Sequence, residues 1–318
     1  MQFMGDSKQL SLESIRRSIN ATSGVTISKS AFWEKLTTKI LGKKLSAILN
    51  EAIQLLSSNF GVDPQLMRAL GITGLSFFDS TIVTLKGQAN IHFDGTFRVS
   101  EIKFHLESDG ISGALRWAIL SAASVHDNCS FPDVNSPIGR LSIFDLGYFD
   151  WPRFKEMKEI VVGFWNPTLK RYHWYVTNLE CKAIYIAPLY RLRWQLELLI
   201  KAAKQSLNMN QITSKNKGII INLCTAKLIA LTISLIIRRI GLLNILDEER
   251  NRISLQRSAM VLANLSKDFV NYIIDALDGC RTLLRTRLKA LLIDLYDPNY
   301  KKRRSSLQSL IDLAYEAR

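Results

Sequence analysis

The amino-acid sequence predicts an α/β (α+β) protein in which a central mixed sheet has helical regions before and after it. Three observations carry that expectation. Apolar residues recur at helical spacing in the first stretch of the chain, extended β-branched and aromatic runs replace them from Gly74, and helical spacing returns after Pro188. We therefore expect three regions: 1–70 helical, 71–210 carrying the sheet and the helix packed on it, and 211–318 helical and basic.

The elements follow in order. Leu45, Ile48, Leu49, Ala52, Ile53 and Leu56 form one apolar stripe, and Asn59 with Gly61 supplies a stop. Asp63-Pro64 reads as an N-cap and a proline at the first helical position, so a short helix should run through Leu70. Strands are expected over Leu75 to Leu85, Phe97 to Leu106, Trp117 to Val125, Leu141 to Phe144 and Tyr172 to Thr177, separated by turn residues such as Gly87, Asp94-Gly95 and Asp109-Gly110. Beyond Pro188, Leu192, Leu196, Leu199 and Ala203 make a second stripe. Further helical runs cover Leu223 to Leu243, Ile253 to Leu277, Thr282 to Leu295 and Leu307 to Tyr315.

The charge has a location. Of 318 residues, 42 are Lys or Arg and 28 Asp or Glu, a net +14, while 47% are hydrophobic, which excludes a disordered basic tail. Residues 1–70 carry +4, 71–188 carry −1 and 189–318 carry +11. A polyanion facing the C-terminal helices is the partner this implies. Cys129, Cys181, Cys224 and Cys280 lack zinc-ligand spacing, and the distances between them argue against a disulfide framework. Met1 to Lys8 does not read as a leader. Ile219 to Ile237 is apolar, but Asn222 and Lys227 interrupt it; a lysine at mid-bilayer costs ~2.5–3.5 kcal/mol, so a buried helix without stable membrane association is expected.

Two acids sit where acids are costly. Asp79 follows Phe77-Phe78 inside an apolar strand run, and Asp145 ends Leu141 to Phe144; an ionised carboxylate there must be paired or bind a metal. A third lies on the helix after Pro188, where Tyr190, Arg193, Glu197, Lys201 and Lys204 project within about 80° of one another at 100° per residue. Alone, that face also reads as an ordinary solvated surface with Arg-Glu and Glu-Lys pairs. Joined to the strand acids, Glu197 completes an oxygen-only donor set suited to Mg2+ or Mn2+.

The spacing of Tyr190, Arg193, Glu197 and Lys204 resembles the Y-R-E-K signature of bacterial DDE transposases of the insertion-sequence-four family. Phe78-Asp79-Ser80-Thr81 is similar to that family's first-acid motif, and Asp145-Leu146-Gly147-Tyr148-Phe149 to its D-x-G-Y-F second-acid motif. Phe32-Trp33, His126-Asp127-Asn128 and Tyr175-Val176-Thr177-Asn178 extend the similarity, which runs from about Phe32 to Leu243. The resemblance implies a ribonuclease H-like fold with Asp79, Asp145 and Glu197 as catalytic metal ligands for two Mg2+ or Mn2+ ions. It implies phosphodiester cleavage and strand transfer at insertion-sequence ends. Tyr190, Arg193, Lys201 and Lys204 would then hold DNA phosphates, with region 1–70 contributing to binding of the DNA end. A homodimer on paired ends and a cytoplasmic, nucleoid-associated location are also implied, although no heptad repeat of useful length supports pairing.

The match runs short between Asp145 and Glu197. Relatives place an all-β insertion there, and this chain has room for little of it; Trp151 to Glu159 reads as one amphipathic stretch and Tyr172 to Thr177 as the sole strand. An internal deletion is the simplest account, and it leaves a catalytically defective DNA-binding remnant as the alternative. Burial statistics place Trp165 and Trp174 in the core, with stacking on DNA as the other role. Lys301 to Arg304 is a basic run with either a solvated or a DNA-contacting role, and His92, His105, His126 and His173 are expected to be structural.

Overall fold

Local capping starts the chain. The Ser11 hydroxyl accepts the Ser14 N–H at 3.1 Å and opens helix α1 (Leu12–Ser23), which Gly24 ends at φ +66°. Ser28 caps α2 (Lys29–Thr37) through the Ala31 N–H. Helix α3 (Lys39–Ser57) buries Leu49, Ala52, Ile53 and Leu56, while Ile48 at the edge of the stripe stays exposed. Helix α4 (Pro64–Leu70) follows, with Met67 and Leu70 buried. The computed structural model describes residues 11–57, 64–85, 100–110, 112–131, 139–150, 152, 160–210, 212, 214–243, 253, 255–264 and 295. Residues 282–294 and 307–315, where helices are expected, all of 265–277, and Lys301 to Arg304 lie outside the described residues.

The sheet forms from strands β1 (Gly74–Thr84), β2 (Glu101–Asp109), β3 (Leu115–Ala122) and β4 (Arg140–Ile143), in the order β3-β2-β1-β4. β1 pairs antiparallel with β2 and β2 with β3, whereas β4 lies parallel to β1. The expected mixed sheet with flanking helices is therefore the architecture observed. β1 is buried along its first half because Leu75, Phe77 and Phe78 meet the core.

Between β4 and the next helix the structure differs from expectation. Two strands form there, β5 (Ile160–Asn166) and β6 (Arg171–Thr177), making a separate antiparallel hairpin with Lys170 at φ +48° in its turn. The signal was the alternation in Ile160 to Asn166 ahead of Pro167, which is weak because both faces carry apolar residues.

The helix after Pro188 also differs. It begins at Ile186 and breaks at Arg193 into α5 (Ile186–Leu192) and α6 (Trp194–Ser206), although Leu192, Leu196, Leu199 and Ala203 are all buried as their stripe requires. Helix α7 (Lys217–Leu243) packs along α3, and α8 (Leu255–Asn264) packs on α6 and α7. α7 is long and apolar enough to cross a membrane, yet 72% of its most apolar window is buried inside this fold. Its polar residues have partners there: Asn222 donates to the Leu36 carbonyl at 2.8 Å, and Lys227 Nζ donates to the carbonyls of Leu207 and Asn208. Burial lowers the Lys227 ammonium to about 8.

One polar network joins all four strands at the start of β1. Arg140 on β4 donates to the Leu75 carbonyl at 2.6 Å, to Asp109 Oδ2 at 2.6 Å and to the Ser76 hydroxyl. Ser76 in turn donates to Glu107 Oε1 at 2.6 Å, which also accepts from Arg116 of β3 at 3.0 Å. Gly74 leaves room for the Arg140 guanidinium, which a Cβ at that position would push aside. Burial pushes the Asp109 carboxyl up, but the Ser112 N–H and hydroxyl and Arg140 together hold it below its ordinary 3.8. Because the folded value is depressed, this stability is present above the unfolded value and lost as pH falls through the folded one. Asp109→Ala, which leaves Arg140 unpaired, should cost about 3 kcal/mol in urea unfolding at neutral pH. The gap between wild type and variant should narrow in the same titration at about pH 3.

Candidate active site

The parallel rungs between β1 and β4 end with Phe77 opposite Ile143, and Asp79 and Asp145 each stand two residues beyond that rung. The two carboxylates thus leave neighbouring strands at the same level, at the carboxyl end of the parallel pair where open α/β sheets place their sites. Asp79 Oδ1 accepts the Ser80 N–H at 2.9 Å. Asp145 caps the 3₁₀ turn Leu146–Tyr148, its Oδ1 accepting the Gly147 N–H at 2.9 Å.

That turn accounts physically for the D-x-G-Y-F sequence. A Cβ on Gly147 would stand 3.1 Å from Asp145 Oδ1 and 3.0 Å from Asp127 Oδ2, so a larger residue would wedge the carboxylates apart. Tyr148, 1% exposed, packs with Phe78, Phe131 and Phe144 at ring separations of 5.8 to 6.5 Å. Burial, then the charges of Asp127, Asp79 and Asp145, push its phenol far up, so it stays neutral and underlies the acids.

The third acid is tied in by one guanidinium. Arg193, at the break between α5 and α6, places Nη1 3.2 Å from Asp79 Oδ2 and Nη2 2.6 Å from Glu197 Oε1. Burial raises the Asp79 carboxyl to about 6; Arg193 and the Ser80 N–H oppose the rise, and the charges of Asp145 and Glu197 add to it. Asp79, Asp145 and Glu197 are therefore brought together, near enough to feel one another's charge.

The other residues singled out in the sequence lie around this centre. Tyr190 packs against Tyr175 of β6 in a tilted contact, ring centres 5.1 Å apart, and the Arg193 guanidinium lies 5.4 Å from the Tyr190 ring centre. Lys201 is exposed. Lys204 Nζ donates to the Ile82 carbonyl of β1 at 3.1 Å, seating α6 on the strand that carries Asp79. Trp165 and Trp174, expected in the core, are 53% and 66% exposed. They share the outer face of the hairpin with Tyr172, their rings 5.2 and 5.4 Å from its own. Trp174 lies over Gly163, where a Cβ would come within 2.6 Å of its ring. Among the described residues no second layer covers that side of the two-stranded sheet, which is why burial statistics for tryptophan mislead here. Between the hairpin, β4 and α5 lies a cleft of about 580 Å³ whose wall includes Asp145, Phe149, Trp174 and Tyr190.

Sequence reasoning missed Asp127 as a site residue, noting it only within His126-Asp127-Asn128. Its Oδ1 pairs with Lys103 Nζ at 3.0 Å, and the buried His105 of β2 is 3.7 Å away. Burial, with Lys103 adding, lowers His105 to about 4, so this histidine is neutral at physiological pH and has a structural place. An available signal was Lys103 inside an otherwise apolar strand, because a buried ammonium needs an acid.

The donor chemistry of the triad, carboxylate oxygen alone, fits a hard divalent cation. In the arrangement observed, no three His, Cys, Asp or Glu side chains among the described residues stand close enough to hold one ion. The Arg193 guanidinium occupies the space between the first and third acids, a cation standing where the carboxylates converge. No curated protein matches the chain, whereas the family model described as the transposase DDE domain matches residues 72–233, from the start of β1 through most of α7. Such domains generally use divalent metal ions. The stretch matched is half of the chain and contains all three acids, and the chain belongs to the DDE transposase family.

Proposed function

We propose that this chain is a working transposase of the insertion-sequence-four type, cleaving phosphodiester bonds at insertion-sequence ends and joining the freed strand to new DNA. The observation that carries the reading is the position of Asp79 on β1 and Asp145 just past β4, each two residues beyond the last parallel rung, with Glu197 linked to Asp79 through Arg193. Asp79, Asp145 and Glu197 would hold the divalent ions. Bound there, such ions supply activation of a water or DNA 3′-hydroxyl and charge neutralisation at the leaving oxygen.

The chain's own residues do the rest. Arg193 offsets the charge of Asp79 and Glu197 in the free protein, and its guanidinium, with Tyr190 beside it, would meet a DNA phosphate brought to these acids. Lys201 offers an exposed cation for phosphate on the same helix, and Lys204 keeps that helix on β1. The Trp165, Tyr172 and Trp174 face, beside the cleft that reaches Asp145, supports stacking on unpaired bases at the cut end. The net +11 of residues 189–318 supplies the long-range attraction for DNA. Two copies acting on paired ends, in the cytoplasm and on the nucleoid, complete the reading.

Nicking of a duplex carrying the element's end should require Mg2+ or Mn2+ and vanish in Asp145→Ala while binding to that duplex persists; metal-independent nicking, or nicking by the variant, refutes the assignment. Lys201→Ala should weaken binding evenly across sequences and reduce the magnitude of the log K against log salt slope by about 0.9, the share of one neutralised phosphate. Trp174→Ala should weaken binding of an end with an unpaired tail by ~1–3 kcal/mol, read by fluorescence anisotropy, and leave the blunt duplex unaffected.

A further inference from the structure

Helix α3 carries apolar residues on two faces, and the fold of one chain covers a single one of them. Leu49, Ala52, Ile53 and Leu56 are buried. On the opposite side Ile40, Lys44, Ala47, Ile48, Glu51 and Leu55 project within about 100° of one another at ~100° per residue, and all six are exposed. Ile40 and Leu55 are 68% and 64% exposed, and Ile48 is 48% exposed. Spread over ~22 Å of one helix, these aliphatic side chains make a continuous stripe. Two charges stand within it. Lys44 and Glu51 are two turns apart, beyond the three- and four-residue spacings at which side chains on one helix meet, and neither has an ion-pair partner among the described residues.

The order of the six is self-complementary about a point between Ala47 and Ile48. Counted outward from that point, Ala47 matches Ile48, Lys44 matches Glu51 and Ile40 matches Leu55. A two-fold axis there sets two α3 helices antiparallel, with one patch meeting its own copy. Lys44 then lies level with Glu51 of the second copy and Ile40 with its Leu55, each twice by symmetry. In-register parallel packing would set Lys44 beside Lys44 and Glu51 beside Glu51, so the charges select the antiparallel arrangement.

We propose that this face of α3 is the surface through which two copies of the chain pair, with the Lys44 and Glu51 contacts fixing direction and register. The inference rests on the two-copy reading above and gives it a surface; the chemistry at Asp79, Asp145 and Glu197 plays no part in it. A second copy suits the stripe better than nucleic acid does, because a carboxylate and aliphatic side chains surround its lysine. One helix pair is smaller than the ~1,200 Å² of standard interfaces, and each copy carries +14, so the pairing is weak and reversible.

Sedimentation velocity of the full chain without DNA tests it. Wild type should move from monomer toward dimer as concentration rises through the micromolar range. Lys44→Glu and Glu51→Lys should each stay monomeric where wild type is half dimeric, since each sets like charges at both contacts. An equal mixture of these two variants should recover the dimer, because every contact between unlike copies is again a pair of opposite charges. Ile48→Gln, which changes no charge, should weaken the dimer ~10-fold and covers the case in which charge reversal disturbs the fold. Asp145→Ala, expected to lose nicking, should pair like wild type, so the surface and the catalytic reading fail separately. A dimer that all three α3 variants retain, or a mixture that recovers none, overturns this surface. A wild type monomeric throughout the series overturns it too, and one monomeric on an end-bearing duplex as well overturns the two-copy reading with it.

Discussion

The rest of the molecule depends on the parallel pairing of β1 with β4 in one register. A shift by one residue would turn Asp145 to the opposite face and separate it from Asp79, because side chains alternate along a strand. Four rungs alone, from Gly74 opposite Arg140 to Phe77 opposite Ile143, make a short ladder. Arg140 strengthens it by reaching the Leu75 carbonyl, Ser76 and Asp109 at once, and the network closes only where Gly74 leaves room. The acids thus stand at one end of the strand pair, while the charge network that sets their alignment lies at the other. The register can be held without placing a competing cation at the acids themselves.

At the acid end the balance of charge is different. Burial and the neighbouring carboxylates of Asp145 and Glu197 make full ionisation of Asp79 costly, and Arg193 is the compensating charge within the chain. Arg193 stands at the one-residue interruption between α5 and α6, its backbone still helical at φ −55° and ψ −28°, and its side chain reaches Asp79 on β1 while α6 keeps its leucines in the core. From Arg193 a line of rings continues outward through Tyr190, Tyr175 and Phe164 into the hairpin. Hairpin and acids are therefore packed through one another. Whatever displaces the guanidinium also changes what Tyr190 and Tyr175 rest against.

Much of this was legible in the sequence, and the reasons are specific. Asp79 and Asp145 stood out because a carboxylate beside Phe78 or Phe144 breaks the apolar pattern of a strand. Leu192, Leu196, Leu199 and Ala203 announced the buried face of the helix by their period. Lys227 argued correctly that the most apolar helix is a core helix, and it meets two carbonyls there. The hairpin and the exposed tryptophans were not legible, since a two-sided apolar strand has no clear alternation and burial of an aromatic depends on whether a second layer exists. The break at Arg193 escaped as well. No proline or glycine marks it, and the apolar stripe continues through it unbroken.

Asp127 marks the boundary between the two kinds of information. The sequence by itself determined the helical, sheet-forming and helical succession of the chain, the segregation of positive charge into residues 189–318, and Asp79 and Asp145 as acids in costly positions, because these follow from periodicity, from counting, and from the cost of burying a charge. Which acids face one another was decided by the tertiary structure. Asp127 and Asp145 lie on different turns, and their meeting across Gly147 exists only after β2 supplies Lys103 and β4 takes its place beside β1. Such a meeting has no period along the chain, since it arises from distances between elements that pairing and packing set.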